Sequence, residues 1–224
     1  MTGSALEIRI NTNNPEPRTP CALVLDRSSS MAGRPIDELN RGLRRFADDA
    51  KEDSYARKRC EVTVVSFGGQ AQVDSPFCEV RDFDPPQLLA AGGTPMADAL
   101  ALAVAGLEQR KKQYRAAGIE YMRPWLILMT DGKPTDTRDY FEETVAHLNA
   151  LERKQSLMVF PIAVGDDADL AALARTSIAR APVKLRDVGS FVEFFAWLAA
   201  SLSVTSQSVS GQVPLPPLDG WAAV

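Results

Sequence analysis

The sequence predicts an α/β fold: an open, doubly wound, mostly parallel sheet with helices on both faces and one antiparallel edge strand. Three observations predict it. Short apolar runs of strand length alternate with segments whose apolar residues recur at helical spacing. Two of the runs lead into a carboxylate, Asp26 and Asp131, as buried parallel strands do where they leave a sheet. A Gly68-Gly69 pair separates two further runs and reads as a tight hairpin, which places one antiparallel strand at an edge.

The elements follow in order. Asn11–Pro20 is turn-rich, so residues 1–19 are expected to be a lead-in. Cys21–Asp26 is the first strand. Ile36, Leu39, Leu43, Phe46 and Ala50 mark a helix over Ile36–Ala50. Glu61–Phe67 is β-branched and forms the second strand. Ala71–Val73 is its short hairpin partner, with irregular chain from there to Gly93. Pro95 stands where a helix should begin, and Met96–Ala117 is rich in Ala and Leu up to Gly118. Pro124–Thr130 is a buried strand, Tyr140–Leu151 a helix, and Leu157–Val164 a strand. Asp169–Ala174 is a short helix, Val183–Leu185 a last strand, and Phe191–Leu202 a closing helix. The domain is therefore expected over 20–203. Residues 204–224 change character and end in Val213-Pro-Leu-Pro-Pro-Leu-Asp-Gly-Trp221, an extended tail. Trp221 either tucks against the domain as a clasp or is offered with its prolines to a partner.

Composition narrows the function. The 224 residues are 45% hydrophobic and 24% charged, ordinary for a globular chain long enough to bury a substantial core. Twenty-five Lys and Arg against 29 Asp and Glu give a net charge of −4, which argues against nucleic acid as the main partner. Cys21, Cys60 and Cys78 have no metal-ligand spacing and are odd in number, so they read as small apolar residues in a reducing compartment. No run of about 18 apolar residues occurs, and Met1–Pro20 lacks the apolar core of a signal peptide. A soluble, cytoplasmic protein without a membrane partner is the expectation.

The chemistry is expected beyond the carboxyl ends of the strands, where ligands bind in open α/β sheets. Three polar segments fall there: Asp26-Arg-Ser-Ser-Ser30, Gly92-Gly-Thr94 and Thr130-Asp131-Gly132. They offer two carboxylates and several hydroxyls, with no imidazole or thiol. An all-oxygen set suits a hard cation, Mg²⁺ before Zn²⁺, with Mn²⁺ or Ca²⁺ as substitutes.

In that order and on those elements, Asp26-x-Ser28-x-Ser30, Thr94 and Asp131-Gly132 resemble the metal-ion-dependent adhesion site of von Willebrand factor A (VWA) domains. The resemblance covers roughly residues 20–203 and implies a Rossmann-like sheet. Within that superfamily the chain is most similar to the bacterial TerY-like proteins of tellurium-resistance and stress loci. Gly33-x-Pro35-Ile36, the stretch from Arg123 to Asp136, and Leu215-Pro-Pro-x-x-Gly220-Trp221 carry this narrower likeness. The resemblance implies that the Ser28 and Ser30 hydroxyls ligate the metal. Thr94 would do so directly when ligand is bound and through water otherwise. Asp26 and Asp131 would act through water and balance charge, and an Asp or Glu of a protein partner would complete the shell. It further implies a non-enzymatic adaptor, accompanied by a Ser/Thr kinase and a metal-dependent phosphatase. Two residues depart from the pattern. Ser29 stands where Gly is usual, and a loop needing positive φ there would be strained. Arg27 either reaches the rim to favour an acidic partner or is solvated.

Two other classes compete. One is a Mg²⁺-dependent phosphohydrolase using Asp26, which lacks a histidine or general acid among the three segments. The other is a scaffold with a vestigial metal site. Among the remaining features, Asp166-Asp167-Ala-Asp169 reads as an acidic helix start rather than a calcium loop. His147 reads as a surface residue. Arg110, Lys111, Lys112 and Arg115 read as a solvated basic face, as do Arg41, Arg44 and Arg45.

Overall fold

The computed structural model describes residues 10–207, 215–217 and 222. Its six strands are β1 (Thr19–Asp26), β2 (Cys60–Gly68), β3 (Gln70–Glu79), β4 (Trp125–Thr130), β5 (Met158–Ala163) and β6 (Val183–Lys184). They form one sheet in the order β3-β2-β1-β4-β5-β6. All neighbours are parallel except β2 and β3. The helices are α1 (Arg34–Glu52), α2 (Ala56–Arg59), α3 (Met96–Ala116), α4 (Arg138–Arg153), α5 (Leu170–Arg175) and α6 (Phe191–Gln207).

The period-two alternation of the strands explains the two layers. Leu23, Leu25, Val62, Val64, Ile127, Met129 and Ile162 face one way and pack with Leu39, Leu43 and Phe46 of α1 and Phe194, Phe195 and Leu198 of α6. Ala22, Val24, Val65, Leu126, Leu128 and Val159 face the other way, against Leu100, Ala103 and Leu107 of α3 and Val145 and Leu148 of α4. Both faces are thus covered, as parallel strands without polar alternation require. The predicted doubly wound sheet with one antiparallel edge strand is the observed one. Among the described residues no helix is long and apolar enough to cross a membrane.

Some local expectations are corrected. The hairpin partner is not three residues but ten, Gln70–Glu79. Its Asp74, Ser75 and Pro76 do not read as a strand. A half-exposed edge strand tolerates them, because its outer backbone groups need no ladder partner. Irregular register near Val64 obscures the alternation further. The basic face of α3 is not solvated throughout: Arg110 and Lys111 are buried. Arg110 pairs with Glu61 on β2, and Lys111 donates to Ser156 Oγ at 2.8 Å and pairs with Glu108. Arg41, Arg44 and Arg45 are exposed, as expected of a solvated face. Asp169 caps α5 by accepting from Ala172 N, and His147 is exposed on α4. The three cysteines are free.

Residues before β1 are tied into the domain. Arg18 is fully buried, and its guanidinium donates to the carbonyls of Asn11 and Asn14. At the other terminus, Trp197 Nε1 donates to the Pro216 carbonyl, and Ala222 bridges to Leu185 beside β6. Trp221 lies outside the described residues.

Candidate metal centre

The strand order reverses between β1 and β4, with β2 and β3 on one side and β5 and β6 on the other. Loops leaving β1 and β4 therefore diverge to opposite faces and leave a crevice at their carboxyl ends. Asp26 is the last residue of β1, and Thr130 the last of β4. The topology alone brings two of the three polar segments together.

The third segment arrives through glycine. Ala91 N donates to Arg27 O at 2.8 Å, and Ser29 N donates to Gly92 O at 2.9 Å. Gly69 N donates to Gly93 O at 2.9 Å, so the 91–93 segment is threaded between the β1 loop and the hairpin turn. Gly92 has φ +73°, and a Cβ there would stand 2.4 Å from Gly69 Cα. Gly92→Ala is expected to cost more than about 2 kcal/mol, from the positive φ and from backbone against backbone. Urea denaturation checks this, and a loss below about 1 kcal/mol would show that the loops can part.

All five predicted site residues converge in this crevice. Ser28 Oγ and Ser30 Oγ lie 3.0 Å apart, and Ser30 Oγ donates to Asp131 Oδ1 at 2.7 Å. A Cβ on Gly132 would meet Thr94 Oγ1 at 3.2 Å and Asp26 Oδ2 at 3.8 Å, so these oxygens converge on the space that Gly132 leaves open. Asp26, Ser28 and Thr94 are buried, whereas Ser30 is exposed and Asp131 half-buried. The oxygens thus form a cup open on the Ser30 side.

The electrostatics follow from burial. Desolvation raises the Asp26 carboxyl to about 6, against donation by the Thr130 and Ser28 hydroxyls and Ser28 N, with Asp131 adding repulsion. Asp131 is also raised, chiefly by desolvation and further by Asp167, while Ser30 works against it. Two carboxylates held above their ordinary range and surrounded by hydroxyl oxygens are short of positive charge.

Neighbouring residues outside the predicted ligand set fix the cup. Thr130 Oγ1 donates to Asp26 Oδ2 and accepts from Gly132 N. Thr135 holds Thr94 from both sides: its Oγ1 accepts from Thr94 N and its N donates to Thr94 O. Asp136 accepts from Ala97 N and caps α3, which Pro95 cannot do for itself. The Pro-Thr-Asp after Gly132 is the signal for this clamp, a turn residue followed by two capping types. The two departures also resolve. Gln155 is the only positive-φ residue other than glycine among the described residues, so Ser29 is unstrained. Arg27 is neither at the rim nor simply solvated: its Nε donates to Ser66 Oγ and its Nη1 to Leu89 O.

The donors are oxygen throughout, with no thiol or imidazole. Among the described residues no group of three or more His, Cys, Asp or Glu side chains is placed to hold a metal. A site of two carboxylates and three hydroxyls has a different composition and suits a hard divalent cation. His147 lines a groove between α3 and α4 instead.

The family model for the von Willebrand factor type A domain matches residues 22–195. Solved structures share the fold at low identity. A von Willebrand factor type A protein from Catenulispora acidiphila is 17% identical, with a TM-score of 0.61 over 84% of this chain and 43% of that one. The vWF domain of the type V pili tip protein Mfa5 from Porphyromonas gingivalis is 12% identical, with a TM-score of 0.58 over 89% of this chain and 99% of that one. Proximal thread matrix protein 1 from the mussel byssus, in a structure with a zinc-occupied MIDAS motif, is 15% identical, with a TM-score of 0.55. That match covers 84% of this chain and 48% of the mussel protein, so the chain spans less than half the length of this neighbour and of the Catenulispora one. A search of curated proteins gives no match.

Proposed function

From the premise that the chain belongs to the von Willebrand factor type A domain family, we propose that it is a non-catalytic module binding a protein partner through a divalent cation. Ser28, Ser30 and Thr94 would hold the cation, with Asp26 and Asp131 balancing its charge, and Mg²⁺ is the expected resident. The bound cation would supply a point charge able to accept a carboxylate oxygen from outside the chain. The observation that carries this reading is the convergence of two raised carboxylates and three hydroxyls on one cup at the sheet's switch point. Family members are in general interaction modules, and the mussel protein's zinc-occupied motif supports a divalent ion in this kind of site.

The chain's own residues perform the remaining tasks. Thr130 and Ser28 N orient Asp26, Thr135 orients Thr94, and the open Ser30 side admits the partner. The phosphohydrolase reading is less supported, because no imidazole stands among these groups to move a proton. The TerY-like motifs suggest a stress-response setting with a kinase and a phosphatase as company, in the cytoplasm.

Affinity capture from the host's extract tests the proposal. Wild type, Asp26→Ala and Ser28→Ala are compared in Mg²⁺ and in EDTA. A partner retained only by wild type with Mg²⁺ is the expected result, with at least a tenfold loss in either variant. Equal retention in all samples would remove the metal site from the interaction.

A further inference from the structure

A groove lies away from the metal cup, on the outer side of β5, β6 and α6. It has a volume of about 420 Å³ and is walled by Phe160, Ile162, Val183 and Trp197, with Leu215 and Pro216 of the tail along it. Arg180 lies over the Phe160 ring at 4.3 Å from its centroid, so the rim is a stacked cation on an aromatic floor. Trp197 stands edge-on to Phe160, with 6.4 Å between ring centroids. Its indole Nε1 donates to the Pro216 carbonyl at 2.9 Å.

We propose that this groove is a binding site for an extended Leu-Pro-Pro segment of a partner protein, and that the chain's own tail occupies it as an intramolecular competitor. The chemistry is that by which aromatic grooves read proline-rich chain. An extended proline-rich chain makes no internal hydrogen bonds, so its free carbonyls and stiff, preformed backbone are what an indole N–H and flat aromatic walls select. The chain itself supplies the ligand type, since Leu215 packs on the core cluster while Pro216 takes the indole hydrogen bond. The groove volume persists with Leu215 and Pro216 in place, so these two residues do not fill it.

From Trp197 to Gln207, α6 rises about 15 Å. The eight residue steps from Gln207 to Leu215 can span about 26–29 Å. That contour length exceeds the return distance, so a released Leu215-Pro216 would stay near the groove at an effective concentration in the millimolar range. A partner segment competes against that concentration, so weakening the tail must strengthen capture of an external segment.

A labelled peptide of the chain's own residues 210–221 is the probe, titrated by fluorescence anisotropy into the full chain and its variants. Leu215→Asp should bind it at least tenfold more tightly than wild type, and the milder Leu215→Ala should fall between them. Adding Trp197→Phe to Leu215→Ala keeps an aromatic wall but removes the N–H, and should weaken binding about fivefold. Binding should be the same in Mg²⁺ and EDTA, which separates this surface from the metal cup. Equal affinity for wild type and both Leu215 variants would overturn the proposal, as would binding that requires Mg²⁺. A wild-type dimer by sedimentation that disappears in Leu215→Ala would assign the groove to a second copy's tail and overturn it too.

Discussion

Glu61→Ala should lower stability by about 3–5 kcal/mol, the range for removing one partner of a buried ion pair. Glu61 is fully buried on β2, at the end of the sheet away from the metal cup. One carboxylate oxygen pairs with Arg18 Nε at 3.3 Å. The other pairs with Arg110 Nη2 at 2.6 Å and accepts from the Tyr114 hydroxyl at 2.7 Å. Burial, reinforced by Glu61, raises the Tyr114 phenol, so it stays a donor. Glu61 also stands directly opposite Glu79 across the β2–β3 pair, an unfavourable arrangement of like charges. Arg18 lies between them, 3.6 Å from Glu79. Truncating Glu61 leaves two guanidiniums short of their buried anion. The melting temperature should fall by about 10 °C for a chain of this size. Glu61→Gln should lose less, because its amide oxygen still accepts from Tyr114. Thermal unfolding followed by circular dichroism measures both, and a Glu61→Ala loss under about 1 kcal/mol would mean that the network closes over the gap.

That network shows where the sequence stops being legible. The buried strands were readable because burial on both faces prints a short apolar run: β1, β4 and β5 differ from their predicted spans by at most two residues at either end. The long helix α3 was readable from its Ala- and Leu-rich composition between Pro95 and Gly118. A buried charge prints nothing local. Arg18 and Glu61 are 43 residues apart, and Arg110 and Glu61 are 49 apart, so the basic run on α3 looks like any solvated face. The edge strand β3 failed differently, because one sheet edge and one bulged ladder remove the constraints that create alternation. In the metal cup, the residues with spare oxygens were readable as a set, since their types and order are themselves the signal. The residues that aim them were not. Thr130 reaches the Asp26 side chain across 104 residues, and Thr135 and Asp136 accept from backbone N–H groups 41 and 39 residues away, contacts which only the folded chain supplies.

Asp26→Asn should stabilise the metal-free protein at pH 7.5 by about 2 kcal/mol and abolish its response to Mg²⁺. The wild-type carboxyl is raised from 3.8 to about 6, chiefly by desolvation. Between those values the folded chain keeps a proton that the unfolded chain has lost. Metal-free stability therefore falls as pH rises through this window, by about 3 kcal/mol in full, and stays low above it. The raised Asp131 carboxyl acts in the same direction. Asparagine carries no charge and keeps an oxygen for Ser28 N, so most of the penalty disappears with it. A cation at the cup removes the penalty in another way, by matching the carboxylate charge. Mg²⁺ at 100 times its dissociation constant should then add about 2.7 kcal/mol to wild type at pH 7.5. At pH 5 proton and metal compete for Asp26, and the apparent affinity should drop about tenfold for each pH unit below 6. Thermal unfolding of both chains at pH 5 and 7.5, with Mg²⁺ and with EDTA, measures all of this. A variant less stable than wild type in EDTA at pH 7.5 would show that Asp26 supports the empty fold. A Mg²⁺ shift retained in the variant would show that the cation binds elsewhere. A carboxylate that destabilises the empty domain and is relieved only by a cation has a use in binding rather than in folding, and the pH profile distinguishes the two.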